Sequence, residues 1–498
     1  MHYSHNLSFP FHHSIEYRYK KEYNTFIASA KNVQEGIHPM RSQTKPVKST
    51  LMTEGSIAGT MVAFAIPLLL GHLFQQLYNT ADSLIVGNFL GSEALAAVSS
   101  SGNLIHLMIG FFNGIAGGAG VVIARYYGAK DQQHVQKSIH TLLAFGIAAG
   151  LLLTVIGVTL APKMLEWMGT PEEVLPQSIS YFRTYFYGSM AFVLYNICRG
   201  ILQAVGDSKN PLIYLIISSI VNVVLDLLFV GVFGWGVGSA AAATAISQLV
   251  STVLCLYQLV HSDREYRVKL SKIHFNLPML KEIMDNGIPS GFANSIIAIA
   301  NVVVQANINA FGAAAMAGCG AHSRIEGFAF LPVICFNMAI TTFISQNLGA
   351  KQYERAKKGV RTGLTFAVVF GEAVAVLIYI FSPQLIGLFD RNPEVIAYGV
   401  MHQRTTTPFF FLLAFTHAMG AVFRGAGMAK TSMVVMAICW CVIRVPYVTL
   451  AARIVPVLRS VSTGYPVTWA LSSLCFAVLY FKTDWLHGYE KRQAQLHR

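Results

Sequence analysis

The chain has 498 residues, of which 54% are hydrophobic and 12% charged, whereas soluble domains carry charge on about a quarter of theirs. Together with a mean hydropathy of +0.51, this excludes an ordinary soluble enzyme. The net charge of +13 would suggest nucleic acid in a soluble protein, but Lys and Arg fall in short stretches between apolar runs, as in the cytoplasmic loops of a polytopic membrane protein.

In chain order, residues 1–51 are a polar, His-containing extension, expected to be disordered or an over-extended start, because Met52-Thr-Glu-Gly-Ser stands directly before the first apolar run. The extension lacks the apolar core of a signal peptide. Twelve apolar segments follow, near 57–86, 92–124, 136–160, 175–203, 210–232, 237–260, 284–311, 313–346, 359–382, 395–423, 431–452 and 463–483. Each reaches the roughly 20 residues that cross hydrocarbon. Pro67, Pro289, Pro332 and Pro408 lie inside four of them and predict kinks. The chain therefore reads as an all-α polytopic membrane protein with 12 transmembrane helices, six within 52–260 and six within 282–485. A basic linker, 261–281, joins the two sets, and 486–498 is a tail.

Lys and Arg concentrate in the loops after even-numbered segments and in both tails, with Arg183, Arg324, Arg404 and Arg444 left inside spans. The opposite side holds only Lys163, Arg391, Arg453 and Arg459. Both termini are thus expected in the cytoplasm and the chain in the plasma (inner) membrane. The seven cysteines lie within or at the ends of apolar runs and form no CxxC pair, so neither a disulfide framework nor a zinc site is indicated.

A shift of 221 residues superposes the halves: Gly91-x-x-Ala94-x-Ala96 returns as Gly312-x-x-Ala315-x-Ala317, Gly128-Ala129-Lys130 as Gly349-Ala350-Lys351, and Gly206-x-x-Lys209 as Gly427-x-x-Lys430. Two repeats of six spans enter the membrane with the same orientation and predict a cavity between them.

Acids inside spans are costly and mark functional candidates. Asp82 lies late in the first segment and Asp226 late in the fifth, with Asn222 one turn deeper on the same face and Thr244 on the returning sixth. Asp82, Asp226 and Thr244 lie about 12 Å below the outer helix ends at 1.5 Å per residue. Two carboxylates, an amide and a hydroxyl at one depth suit a small cation or a proton; the alternative is hydrogen bonding between neighbouring helices. The repeat counterpart of Asp226 is Tyr447, so the acidic site belongs to one half. Glu326 is read as a cation- or substrate-handling candidate or a structural residue, and Gln76, Tyr78 and Asn79 as polar groups needing a wet face. The cavity itself is expected to be apolar and aromatic, with adaptable Met surfaces.

These residues carry a resemblance. Pro67 with Leu-Tyr-Asn-x-x-Asp82, Val86-Gly-x-x-x-Gly91-x-x-Ala94-Leu-Ala-Ala-Val98, Gly128-Ala-Lys-Asp131, Asn222-x-x-x-Asp226, Gly236-Val-Gly-Ser-Ala-Ala-x-Ala-Thr244 and Gln346-Asn-Leu-Gly-Ala-Lys351 resemble the multidrug and toxic compound extrusion (MATE) transporters of bacteria over about residues 55–485. The resemblance implies a V-shaped, two-lobe fold and antiport of organic cations or drugs against Na⁺ or H⁺. It places a cation site on Asp82, Asn222, Asp226 and Thr244, beside a responsive kink at Pro67. Some members have an acid early in the seventh span, where this chain reads Pro289-Ser-Gly-Phe-Ala-Asn-Ser295. The chain is therefore expected to be no enzyme, to use no cofactor beyond the coupling ion, and to act as a monomer in the bilayer without nucleic acid. The alternative transporter is a flippase of lipid-linked oligosaccharides, which would want a strongly basic cavity.

Overall fold

The computed structural model describes residues 51–488; the expectation for the extension up to Thr50, and that for most of the tail, fall outside them. No strand occurs among the described residues. The twelve expected spans appear in order. The first three are single helices, Ile57–Leu90, Ser92–Gly128 and Gln132–Trp167. Span 4 is Leu175–Tyr187 with Ser189–Ala204, span 5 is Lys209–Asp226 continued by a wider turn at Leu227–Val232, and span 6 is Gly238–His261. In the second half, span 7 is Leu277–Asn309, span 8 is Ala313–Ala329 with Leu331–Gly349, and span 9 is Tyr353–Ile380. Span 10 runs from Pro393–Thr406 into Phe410–Gly425, span 11 from Ala429–Ala437 into Arg444–Ile454, and span 12 from Leu458–Ser462 into Gly464–Lys482.

Eleven of these are long and apolar enough to cross a membrane as they stand. Span 4 is the exception, because Gly188 splits it into helices of 13 and 16 residues. A Cβ at Gly188 would overlap Ala245, so the break lets span 6 approach the backbone of span 4. Pro332 and Pro408 sit at helix breaks as expected, whereas Pro67 and Pro289 lie inside unbroken helices.

The duplication is visible in the backbone. The repeat-equivalent pairs Gly91 and Gly312 (φ 88° and 97°), Lys130 and Lys351 (57° and 58°), and Gly206 and Gly427 (87° and 73°) all adopt positive φ. The lysines do so at a cost that glycine would avoid, so the turn geometry outlasts the residue preference.

Buried apolar clusters show where the halves meet. One joins Met61, Phe64 and Leu68 of span 1 to Phe343, Val422 and other residues of the second half. Another joins Met279 and Ile283 of span 7 to Val122, Ile139 and Leu202 of the first half. The start of each repeat thus packs on the opposite half. Three further clusters, around Phe182, Val448 and Ile325, each draw on one half alone. The mixed contacts gather at the ends that carry the basic loops. There, a Cβ at Gly128 would fall on the Gln346 carbonyl, and one at Gly349 on the Arg125 carbonyl. Small residues allow this backbone-to-backbone crossing of spans 2 and 8. The Gln346 side chain ties the crossing together, accepting from the Met52 amide (2.7 Å) and donating to the Ala204 carbonyl (2.8 Å).

Candidate cation site and central cavity

Span 5 is helical through Asn222 and Asp226 and then widens into a π turn at Leu227–Val232, a feature common at functional sites. The i, i+4 spacing puts both side chains on one face, and both are buried, at 1% and 0% exposure. Span 1 brings Asp82 to the same place, so that the carboxyls of Asp82 and Asp226 face each other at close range. Both oxygens of Asp226, both amide atoms of Asn222 and Oδ1 of Asp82 are buried without a hydrogen-bond partner. Native interiors rarely leave such groups unmet. Four of these five atoms are hard oxygens, the donor set that Na⁺ prefers, and two facing carboxyls can equally share a proton.

Thr244 lies on span 6, which packs along span 5, with its hydroxyl donating to the Ala240 carbonyl at 3.1 Å. Tyr181 was not anticipated, yet its phenol is buried within electrostatic reach of both acids. The signal available for it was the Tyr181-x-x-x-Tyr185 spacing, whose rings stack at 6.5 Å. Tyr78 stands within electrostatic reach of both Asp82 and Arg199. Gln76 and Asn79 lie on an exposed face of span 1. Pro67 borders a void of about 20 Å³ among spans 1, 4 and 5, room for a single water.

Between the halves lies a cavity of about 490 Å³, within the size range of small-molecule sites. Its lining corrects the expectation of an aromatic, Met-rich wall. Among the described residues, Phe330 and Met338 are the only phenylalanine and methionine on it, with no Tyr or Trp. Arg199 and Arg424 line it instead, together with His72, His417 and several Asn and Thr side chains, and no Asp or Glu among the described residues does. The fourth expected segment contains Arg199 and the tenth ends one residue before Arg424; the structure places Arg199 in the second helix of span 4 and Arg424 in the last turn of span 10. At an effective dielectric of about 20, a monovalent cation roughly 8 Å from a guanidinium is repelled by about 2 kcal/mol.

A MatE family profile matches residues 67–228 and 289–450, one match in each half and together more than half of the chain. The chain belongs to the MatE family. This MatE protein is 28% identical over 447 residues to the probable multidrug resistance protein YoeA of Bacillus subtilis, covering 87% of this chain and 96% of that one. A solved MATE transporter in a bent conformation superposes with a TM-score of 0.83 at 25% identity, over 90% of this chain and 99% of that one. A MOP superfamily transporter from Pyrococcus furiosus, described with a binding pocket of reverse polarity, superposes with a TM-score of 0.81 at 25% identity, over 86% and 96% of the two chains. The chain is thus a membrane-spanning transporter of a multidrug efflux family with the twelve-helix, two-lobe fold, and not an enzyme.

The second half of the MatE fold holds its own buried polar cluster. Glu326 lies 3.8 Å from His322 Nε2 and within electrostatic reach of Arg444. Arg444 is 1% exposed, bonds Thr468 Oγ1 through Nε (2.9 Å), and lies over the rings of Trp440 and Tyr465 at 4.3 and 4.8 Å. Arg324, two residues from Glu326, points to an exposed face, as the i, i+2 spacing predicts.

Proposed function

We propose that this MatE transporter is a secondary antiporter in which Na⁺ or H⁺, bound by Asp82, Asn222 and Asp226 with Thr244 and Tyr181 beside them, drives export of small amphiphilic molecules through the central cavity. The observation that supports this reading is the cluster of five buried, unpartnered polar atoms on spans 1 and 5. Two unpaired acids are costly in a membrane unless an arriving cation neutralises them. Neutralisation removes the repulsion between the carboxyls, lets spans 1 and 5 draw together, and is accommodated by span 1 at Pro67. The same span reaches the cavity through His72, so a change at Asp82 is felt where the substrate sits.

On the charge distribution, the basic ends face the cytoplasm. On that orientation the crossing of spans 2 and 8 closes the cytoplasmic side. Alternating access requires that crossing to open and the far ends to close, with the cation binding the two states unequally. The family resemblance supplies organic cations as the cargo, and the direct test leaves cargo charge open. Purified protein in proteoliposomes is given ethidium and carboxyfluorescein under imposed Na⁺ and pH gradients. Wild type should accumulate dye in response to one gradient, and Asp82→Asn and Asp226→Asn should each lose the response. Variants transporting at wild-type rates, or a wild type indifferent to both gradients, would overturn the proposal.

A further inference from the structure

The polarity of the cavity narrows the substrate class, a step that rests on the transporter reading above. Arg199 comes from the first half and Arg424 from the second, and both line the same space. Arg199 Nη2 donates to Asn113 Oδ1 (2.9 Å) and Asn196 Oδ1 (3.0 Å), and Arg424 Nη1 to Ser432 Oγ at 3.4 Å. Every one of these acceptors is neutral, and no ion pair among the described residues involves either arginine. Each guanidinium has further N–H donors in a fixed fork. Arg199 also lies over one ring, that of Tyr195 at 5.7 Å, whereas the buried Arg444 is sandwiched by two closer rings at 4.3 and 4.8 Å with Glu326 in electrostatic reach. Around the arginines stand neutral donors such as Asn294 and Asn337, while Ile297, Phe330, Ile334 and Met338 supply an apolar wall.

We propose that the cavity takes an amphiphilic organic anion, its carboxylate or phosphate held between Arg199 and Arg424 and its apolar body set against Phe330, Ile334 and Met338. Planar forks on both halves suit a bidentate oxyanion, and an oxyanion bridging them links the halves across the cavity. The energetics of exchange follow from the charge. A monoanion leaving as one monovalent cation enters carries two positive charges inward, whereas a monovalent cationic substrate exchanged one-for-one carries none. Export of the anion is therefore driven by an inside-negative potential as well as by the cation gradient.

A pair of xanthene dyes with similar ring systems and opposite charge tests this: carboxyfluorescein and rhodamine 123, bound to the purified full chain and read by fluorescence polarisation. Carboxyfluorescein should bind at least about tenfold more tightly, and Arg199→Gln and Arg424→Gln should each weaken it by about tenfold, the loss of one charge-assisted contact. Arg199→Lys and Arg424→Lys, which keep the charge but lose the planar fork, should bind more weakly than wild type and more tightly than the Gln variants, and unchanged gel-filtration profiles certify folding. In proteoliposomes, a valinomycin-imposed inside-negative potential should accelerate carboxyfluorescein export. Tighter binding of rhodamine 123, binding of neither dye, or carboxyfluorescein affinity indifferent to both Gln variants overturns the anion proposal. If carboxyfluorescein binds through the arginines yet neither dye moves under any gradient, the antiporter reading falls and the anion site stands.

Discussion

At the scale of single residues, two kinds of buried charge coexist and make opposite predictions. Asp226 is fully buried with both oxygens unpartnered, so its carboxyl burdens the fold in the absence of a cation. Asp226→Asn should leave the melting temperature unchanged or raise it, by about 1 kcal/mol of stability, while coupling is lost. A fall of several degrees in a thermal-shift assay would mark it as a structural residue instead. Arg444 is met by Thr468, Trp440 and Tyr465 and lies near Glu326. Arg444→Ala strips these contacts and leaves the acid facing an empty place, at a cost of about 3 kcal/mol, which the same assay reads as a marked drop. The acids were legible in the sequence because a carboxylate within an apolar run stands out against its neighbours. Arg199 and Arg424 were not, because both stand close to basic loops and linear position alone does not say which way a helix-end side chain faces. Tyr181 was hidden for a different reason: the Tyr181-x-x-x-Tyr185 spacing marks the pair, but linear sequence does not say which phenol reaches both acids.

At the scale of elements, spans and their duplication were legible because hydropathy and a constant offset are one-dimensional properties. The left-handed turns at Lys130 and Lys351 show how faithfully the offset is kept. Packing partners are not one-dimensional, and the sequence did not reveal that spans 1 and 7 begin against the opposite half. Nor did it reveal the break at Gly188, where Ala245 of span 6 comes so close that a side chain at 188 would overlap it. The crossing of spans 2 and 8 carries its own prediction. Gly128→Ala places a methyl on the Gln346 carbonyl and should shift the population from the sealed state by about tenfold, the effect of roughly 1.4 kcal/mol. With Thr342→Cys introduced on the cavity wall in a cysteine-free background, an impermeant maleimide applied from the basic side should label Gly128→Ala faster than its parent. Equal labelling would show that the crossing does not control access.

At the scale of the whole molecule, the fold separates two tasks along span 1. His72 borders the cavity and Asp82 the cation site, about 15 Å apart at 1.5 Å per residue. The proposed antiport therefore requires the two sites to communicate along the helix and its proline rather than by competing for the same atoms. Linkage makes this testable without transport: if the cation alters substrate affinity, the substrate alters cation affinity by the same factor. The most direct measurement is a titration of the purified protein with Na⁺ and, separately, with H⁺, following by polarisation the bound xanthene dye that wild type prefers. The dye dissociation constant should rise with one of the two cations by about tenfold, and Asp82→Asn and Asp226→Asn should abolish the dependence while still binding dye. A dye affinity that ignores both cations, or variants that respond as wild type does, would contradict the coupling of these sites.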